Sequence, residues 1–136
     1  MKRIKVLRIK PHCIPEIVRI PLGLESLQKE VGGTIQVTYP WDDPVALICN
    51  EEGKLLGFGI DNFNRTLLTD DGILIDVIAG TFLITGLTEN DFGSLSPELL
   101  AKYEKMFHCP ERLWRTIDEH GRTHFKIDYE PENTVK

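Results

Sequence analysis

The chain has 136 residues, of which 41% are hydrophobic and 27% charged, the size and composition of a single globular domain. A net charge of −5 and a pI near 5.4 argue against an extended nucleic-acid footprint. No apolar run approaches the roughly 18 residues that a membrane span needs, so we expect no membrane contact. Three widely spaced cysteines argue against a disulfide framework and are typical of a reducing cytoplasm.

Charge is distributed unevenly along the chain. Residues 1–22 carry six Lys or Arg and one Glu, a net +5, whereas residues 23–110 carry five basic and fourteen acidic residues, a net −9. Residues 111–136 are nearly balanced, with five basic and six acidic residues. The basic beginning could bind phosphates or an acidic partner. Its cations alternate with apolar residues, however, which favours a strand whose Lys and Arg side chains reach solvent.

Two strands are predicted at the start of the chain, at residues 2–10 and 16–20, because the two prolines between them favour a turn over a helix. Within the first strand the apolar residues change from even positions, ending at Val6, to odd positions, beginning at Leu7. Either a β-bulge separates these two residues or both faces of the strand are covered.

The middle of the chain predicts one helix and a series of strands. Apolar residues at helical spacing indicate a short helix over residues 24–31, and the glycines that follow suit a helix end. Alternating apolar residues indicate strands at 34–39 and 45–49, which should be neighbours. Two β-branched segments, 73–78 and 81–85, follow a tight Asp-Gly turn and carry few charges, so we expect both at the centre of a sheet.

The last third of the chain predicts a second helix and a hairpin. Ser96 and Pro97 favour a helix start, and apolar residues at three- and four-residue spacing continue to about residue 107. Two alternating segments, 113–117 and 123–129, flank a polar turn and indicate a β-hairpin.

Together these elements predict an α+β fold in a single domain, a mostly antiparallel sheet with two short helices and a C-terminal β-hairpin. Residues 1–107 would form the α+β core domain. Residues 108–136 would form a hairpin extension that packs on the same domain.

Four segments of the sequence carry a resemblance to known proteins. They are residues 45–57, the pair Asn64-Arg65, residues 78–82 and residues 92–95. With the order of the elements, they make residues 1–107 resemble an uncharacterised family of short proteins from bacteriophages and bacterial mobile elements. The resemblance implies a compact α+β domain with an accessory role in a phage or plasmid, in the cytoplasm of the bacterial host, and it implies no settled activity. Residues 108–136 have no counterpart in that family.

The polar segment around Asn64-Arg65 is the strongest candidate for a binding site. Arginine presents a planar fork of donors that suits phosphate or carboxylate, and asparagine can donate to and accept from a base or ribose. Gly80 would let a ligand approach the backbone beside Thr81, and aromatic side chains could stack on a planar ligand. The predicted ligand-binding residues are Arg65, Asn64, Asn62, Thr81, Trp41 and Phe63.

Each of these residues also has a structural interpretation, which the sequence leaves open. Arg65 could pair with a nearby aspartate, and Asn64 could cap a turn. The aromatic side chains could belong to the core or mark a protein interface.

Catalysis and metal binding have little support in the sequence. The glycines at 57 and 59 lack the rest of a phosphate-binding loop, and the histidines and cysteines lack the spacing of zinc sites. We expect no catalytic residues, no metal and no cofactor. The carboxylates of Asp61, Asp70, Asp71 and Asp76 nevertheless leave acid/base chemistry open.

Three hypotheses about function are consistent with these residues. The first is a non-enzymatic accessory protein, a homo-oligomer, that binds and sequesters a small anionic ligand; by analogy with phage counter-defence, the ligand is a nucleotide immune signal of the host. The second is an acidic inhibitor or adaptor that covers a host protein, which the −9 balance of residues 23–110 favours. The third is a small enzyme that cleaves the same ligand.

Overall fold

The computed structural model describes residues 2–52, 62–69 and 71–131, which contain ten strands and two helices. The strands are β1 (Arg3–Ile9), β2 (Glu16–Pro21), β3 (Ile35–Thr38), β4 (Val45–Asn50), β5 (Phe63–Leu68), β6 (Leu74–Ala79), β7 (Phe82–Leu87), β8 (Phe92–Gly93), β9 (Glu111–Ile117) and β10 (Thr123–Tyr129). The helices are α1 (Leu24–Val31) and α2 (Pro97–Met106). The predicted α+β class is confirmed, as is the C-terminal hairpin.

The largest sheet has the strand order β2-β1-β7-β4-β3, and β8 adds a short pair to β7. All of its neighbouring strands run antiparallel. Strands β3 and β4 are neighbours, as predicted. The first strand of the chain is an inner strand, since β2 pairs with one of its edges and β7 with the other.

Both faces of this sheet are covered, which explains the apolar pattern of β1. The register between β1 and β2 is continuous over six residue pairs and contains no bulge. Val6 and Leu7 are nevertheless both fully buried, because adjacent side chains on a strand point to opposite faces. Of the two alternatives that the sequence leaves open, the sheet covered on both faces is the correct one.

Each face of the sheet packs against a different layer. Leu27 and Val31 of α1 pack on one face, against residues that include Ile4, Val6, Ile48 and Leu83. On the other face, α2 and the β5–β6 hairpin close a second core, which contains Leu7, Ile9, Leu47, Leu67, Ile78, Phe82, Ile84, Tyr103 and Phe107. Burying a large aliphatic or aromatic side chain stabilises a fold by about 1.5–3 kcal/mol. These two cores therefore dominate the stability of the domain.

The ends of both helices follow the signals in the sequence. The Ser96 side chain accepts a hydrogen bond from the Leu99 amide at 3.3 Å, and Pro97 occupies the first turn of α2. Helix α1 ends at Gly32, whose φ of 84° is left-handed and is tolerated best by glycine.

One predicted strand belongs to a different sheet from the one expected for it. The sequence predicts both 73–78 and 81–85 at the centre of a sheet, but among the described residues β6 pairs only with β5, in a separate two-stranded sheet. The prediction for 73–78 is wrong because Gly80, with a φ of 75°, redirects the chain between β6 and β7. Residues 73–75 are consequently half or more exposed, whereas β7 is central and buried, as predicted.

The β9–β10 hairpin contacts the rest of the protein at its base. The Glu130 amide donates to the Pro110 carbonyl at 2.8 Å, and His12 Nδ1 lies 2.9 Å from Glu130 Oε2. Glu111 contacts β5, as described below. The division into a core at 1–107 and an extension at 108–136 stays a prediction.

Candidate functional site

A β-bulge at the start of β5 positions the predicted site residues Asn64 and Arg65. Phe63 lies opposite Ala79 and Arg65 opposite Ile78, so that Asn64 has no cross-strand partner. A bulge changes the direction of the side chains on its strand. As a result both Asn64 and Arg65 turn into the protein, and each is 0% exposed.

The guanidinium of Arg65 is saturated by hydrogen bonds to the protein. Nε and Nη2 donate to the Phe107 carbonyl at 3.2 and 2.9 Å, and Nη2 also donates to the Cys13 carbonyl at 2.6 Å. Nη1 donates to Asn64 Oδ1 at 2.8 Å. The side chain thereby joins β5 to the end of α2 and to the loop between β1 and β2.

Asn64 extends this network to the main sheet. Its Nδ2 donates to the Ile9 carbonyl at 2.9 Å and to the Gly80 carbonyl at 2.7 Å. Asn62 also contacts Gly80, through its backbone carbonyl, which accepts a hydrogen bond from the Gly80 amide at 2.7 Å. The predicted grouping of Asn62, Asn64 and Arg65 around Gly80 is therefore present, but it holds backbone together.

Glu111 is the acidic residue that faces this network. Thr66 donates to Glu111 Oε1 from its hydroxyl at 2.7 Å and from its amide at 3.3 Å. Burial raises the pKa of the Glu111 carboxyl, against the effects of the Thr66 bonds and the Arg65 charge. Burial lowers the pKa of the Arg65 guanidinium, against the attraction of Glu111. The two charges offset each other's desolvation across the joint between β5 and β9.

The other predicted site residues have packing roles or stand apart. Trp41 packs on Tyr103 with ring centroids 4.6 Å apart, and its edge faces Phe107 at 6.1 Å. Phe63 is buried, with 4% of its surface exposed. Thr81 is half-buried in the short link between β6 and β7. These aromatic rings offer no open stacking platform beside Arg65.

Arg65 does not make the pairing that its structural interpretation predicted, and its ligand-binding role stays a prediction. Its hydrogen bonds go to carbonyl oxygens and to Asn64, where the structural interpretation expected an aspartate. Its predicted role toward an anionic ligand would require these bonds to open first. Asp61 and Asp70, two of the carboxylates considered for acid/base chemistry, lie outside the described residues.

The structure places an open cleft elsewhere, between the β3 end of the main sheet and the β5–β6 hairpin. Its volume is about 300 Å³, at the small end of the range for ligand pockets. Its aliphatic walls include Leu47, Leu67 and Ile78 from the buried core. Tyr39 and Ile75, which are 62% and 50% exposed, also line it.

The cleft is polar at its margins and acidic. Gln36, Thr38 and Asn50 contribute amide and hydroxyl groups. Glu51 and Asp76 are the charged side chains among its described lining residues, which include no Lys, Arg or His. The Cys49 thiol lies 3.9 Å from Gln36 Oε1, an amide oxygen and not a base. The arrangement suits the binding of a partly apolar, neutral or cationic group better than that of an anion.

Sequence reasoning missed this cleft. Its two sides come from β3 and β6, which are distant in sequence and belong to different sheets. The available signal was the run Ile73, Leu74 and Ile75, since three adjacent apolar residues cannot all face one core from a strand. An exposed run of this kind is typical of a contact surface.

The described part of the chain contains neither a metal-binding cluster nor a helix that could span a membrane. Across residues 2–52, 62–69 and 71–131, no group of three or more His, Cys, Asp or Glu is arranged to hold a metal ion. Neither α1 nor α2 is long and apolar enough to cross a lipid bilayer.

The sequence match agrees with the extent of the core fold. A family model for a domain of unknown function, DUF3846, matches residues 4–108. The chain belongs to this family. The DUF3846 match covers the strands from β1 to β8 and helix α2, and it ends before the β9–β10 hairpin. The chain matches no curated protein and no solved structure.

Proposed function

We propose that this DUF3846 protein is a non-catalytic adaptor or inhibitor that binds an extended segment of a partner protein in the cleft between β3 and β6. The partner segment combines apolar and basic residues. An accessory role in a phage or mobile element, acting on a host protein, is part of this proposal and is supported by the sequence resemblance alone.

The observation that supports the proposal best is the set of exposed apolar side chains at the cleft and beside it. Tyr39 and Ile75 line the cleft, and the neighbouring Ile73 and Leu74 of the hairpin are 63% and 54% exposed. Exposed apolar side chains that cluster in this way are typical of a contact surface. This surface belongs to the residues matched by the family.

The cleft is lined by two strands, β3 and β6, that are edge strands of their sheets. Strand β3 is the last in the order of the main sheet, and β6 pairs with β5 only. Among the described residues, no strand pairs with the outer edge of either. An extended peptide can hydrogen-bond to such an edge, while alternate side chains enter the neighbouring pocket.

Charge defines the chemistry of the partner. Glu51 and Asp76 line the cleft, and residues 23–110 carry a net charge of −9. A basic segment would be attracted and oriented by this field, whereas an acidic one would be repelled. Binding should therefore weaken as salt is added.

The small-anion hypothesis stays a prediction with less support. Arg65 is buried and occupied by carbonyl oxygens, and the cleft carries carboxylates in place of cations. Native mass spectrometry of protein recovered from cells with an active nucleotide-signalling defence would test it directly. Release of an intact small anion would favour sequestration over the adaptor proposed here.

A peptide-display selection would test the adaptor proposal. We expect enrichment of segments that alternate apolar residues with Lys or Arg, and tighter binding at low salt than at high salt. Tyr39→Ala and Ile75→Ser should each weaken a selected peptide about ten-fold, a loss of about 1.4 kcal/mol. Ile17→Ser is the matched control, because Ile17 is 57% exposed on β2, on the far side of the sheet order.

Two results would contradict the proposal. One is enrichment of acidic peptides or of none. The other is an Ile17→Ser variant that loses as much affinity as Tyr39→Ala, which would show that the peptides bind elsewhere.

A further inference from the structure

The β9–β10 hairpin presents one apolar face, which we call the hairpin face. Side chains on a strand alternate between faces, and the register places Leu113 opposite Ile127 and Arg115 opposite Phe125. These residues therefore share one face with Glu111, Ile117, Thr123 and Tyr129. Glu111 is buried against β5 at the base of this face. The hairpin face consists of the remaining residues, Leu113, Arg115, Ile117, Thr123, Phe125, Ile127 and Tyr129.

Most of this face is open to solvent. Ile117, Phe125 and Tyr129 are 69%, 64% and 67% exposed. Each would be stabilised by transfer out of water. A two-stranded hairpin is at best marginally stable without a third layer against its apolar side. Among the described residues, β5 contacts this side of the hairpin at its base, where Thr66 donates to Glu111. Ile117 and Phe125, farther from the base, stay exposed.

On the opposite face of the hairpin, the polar and aromatic side chains interact with one another. The Arg112 guanidinium lies 4.9 Å from the centre of the Trp114 ring, a cation–π arrangement. Trp114 Nε1 donates to Asp128 Oδ1 at 3.1 Å, and Arg112 Nε lies 3.4 Å from the same oxygen. The need for a partner is therefore confined to the hairpin face.

The hairpin is held in a defined conformation at both ends. At its base, the Glu130 amide bonds to the Pro110 carbonyl, and Glu111 accepts bonds from Thr66. At its turn, Asp118 Oδ1 accepts from the amides of His120 and Arg122 at 2.9 Å. A preorganised surface loses little conformational entropy on association.

We propose that the hairpin face packs against the same face of a second copy of this chain, related by a two-fold axis. Residues 111–131 carry four basic and five acidic residues, so two hairpins approach each other with little repulsion. Arg115 is the exposed charge on the face itself. A basic partner would instead be drawn to residues 23–110, where the net charge is −9.

The family match also points to a second copy as the occupant. The hairpin lies beyond the DUF3846 residues, whereas the cleft lies within them. The matched residues therefore give no reason to expect a family-wide partner at the hairpin. A second copy is present wherever a chain with this hairpin is made, and isologous contacts are the commonest interface of soluble oligomers.

The size of the face sets the strength of the contact. Two strands of seven residues span roughly 24 Å by 10 Å, or about 240 Å² of footprint. Stable interfaces bury about 800 Å² of accessible surface on each partner. The dimer should accordingly dissociate on dilution.

Sedimentation velocity over a roughly thousand-fold range of protein concentration tests this contact. The unmodified chain should shift from monomer to dimer within the range. Phe125→Lys and Ile117→Lys should each raise the dissociation constant at least about ten-fold. Ile73→Lys, at a position 63% exposed on the β5–β6 hairpin, should leave it unchanged.

Three outcomes would overturn the inference. They are an unmodified chain that stays monomeric throughout, assembly into a species larger than a dimer, and an Ile73→Lys variant that loses the dimer as Phe125→Lys does. Circular dichroism and thermal unfolding check that each variant is folded, and the result for the unmodified chain stands without any variant. The inference does not depend on the proposed adaptor function, because no peptide is present in the experiment.

Discussion

The protein carries two β-hairpins beside its main sheet, and they differ in what covers them. The β5–β6 hairpin inserts one end into the body, so that Asn64, Arg65 and Leu67 are buried. Among the described residues, the hydrogen bonds that join the β9–β10 hairpin to the body lie at its base, where Glu111 is 8% exposed. The same secondary structure thus closes a core in one place and presents a surface in the other. We expect substitutions in the first to change folding, and substitutions in the second to change association.

The largest expected effect is at Arg65. Arg65→Met should lower the free energy of unfolding by about 3–5 kcal/mol, because it leaves buried carbonyl oxygens of Cys13 and Phe107 without their donor. Arg115→Met on β9 is the matched control and should change it by less than about 0.5 kcal/mol. Urea unfolding measures both. If both variants lost the same free energy of unfolding, the two hairpins would contribute equally to the stability of the core, contrary to this comparison.

A pair of apolar truncations repeats the comparison. Leu67→Ala on β5 should cost about 3 kcal/mol through the cavity that it leaves, since Leu67 is 6% exposed. Ile117→Ala on β9 should cost less than about 0.5 kcal/mol in dilute protein. Thermal unfolding of the two variants at one low concentration checks this. A cost at Ile117 as large as that at Leu67 would mean that the hairpin face is already covered in the monomer.

Glu111, at the joint between the hairpins, should give a pH-dependent effect. Its pKa is raised in the folded protein, so the folded chain holds this proton more tightly than the unfolded chain. Its contribution to stability is full in acid, below the unfolded pKa, and is lost as the pH rises through the folded pKa. Glutamine cannot ionise. Glu111→Gln should therefore gain stability relative to the unmodified chain as the pH rises from acid to neutral.

Urea titrations at several pH values would measure this difference. Glu98→Gln, on the exposed first turn of α2, is the control and should show no such trend. A relative stability of Glu111→Gln that falls with pH would reverse the sign and show that the carboxylate is favoured in the fold.

The smallest effect is expected on the satisfied face of β9–β10. Asp128→Asn weakens the contacts to Arg112 and Trp114, which are partly exposed, and should cost about 0.2–1 kcal/mol. The cost should shrink in high salt. Unfolding followed by tryptophan fluorescence measures this loss of stability. A loss that does not change with salt would indicate that Asp128 stabilises the hairpin by packing and not by its charge.

The sequence predicted the elements that depend on local pattern. Helix α1 lies at the predicted residues, α2 ends within one residue of the expected position, and the C-terminal hairpin is confirmed. Strand β5 was not predicted, because Asn64 and Arg65 look like loop residues in a linear pattern. Their burial depends on carbonyl oxygens of Ile9, Cys13 and Phe107, which are distant in sequence.

The candidate sites were less predictable for the same reason. From its residue type and its place in the sequence, Arg65 was predicted to bind a ligand. Only the three-dimensional structure shows which oxygen atoms accept the hydrogen bonds of its guanidinium. The cleft requires the outer edge of β3 to lie near that of β6. That placement depends on the turn at Gly80, whose φ of 75° sends β6 and β7 into different sheets.

The position of β1 has a consequence for synthesis on the ribosome. This strand is synthesised before β7, with which it pairs, and Arg65 joins the loop after it to Phe107. A nascent chain that stops short of β7 holds an apolar strand with one edge unpaired, and one that stops short of Phe107 lacks the carbonyl that Arg65 binds. The DUF3846 domain should therefore fold as a single unit, after its last helix has emerged.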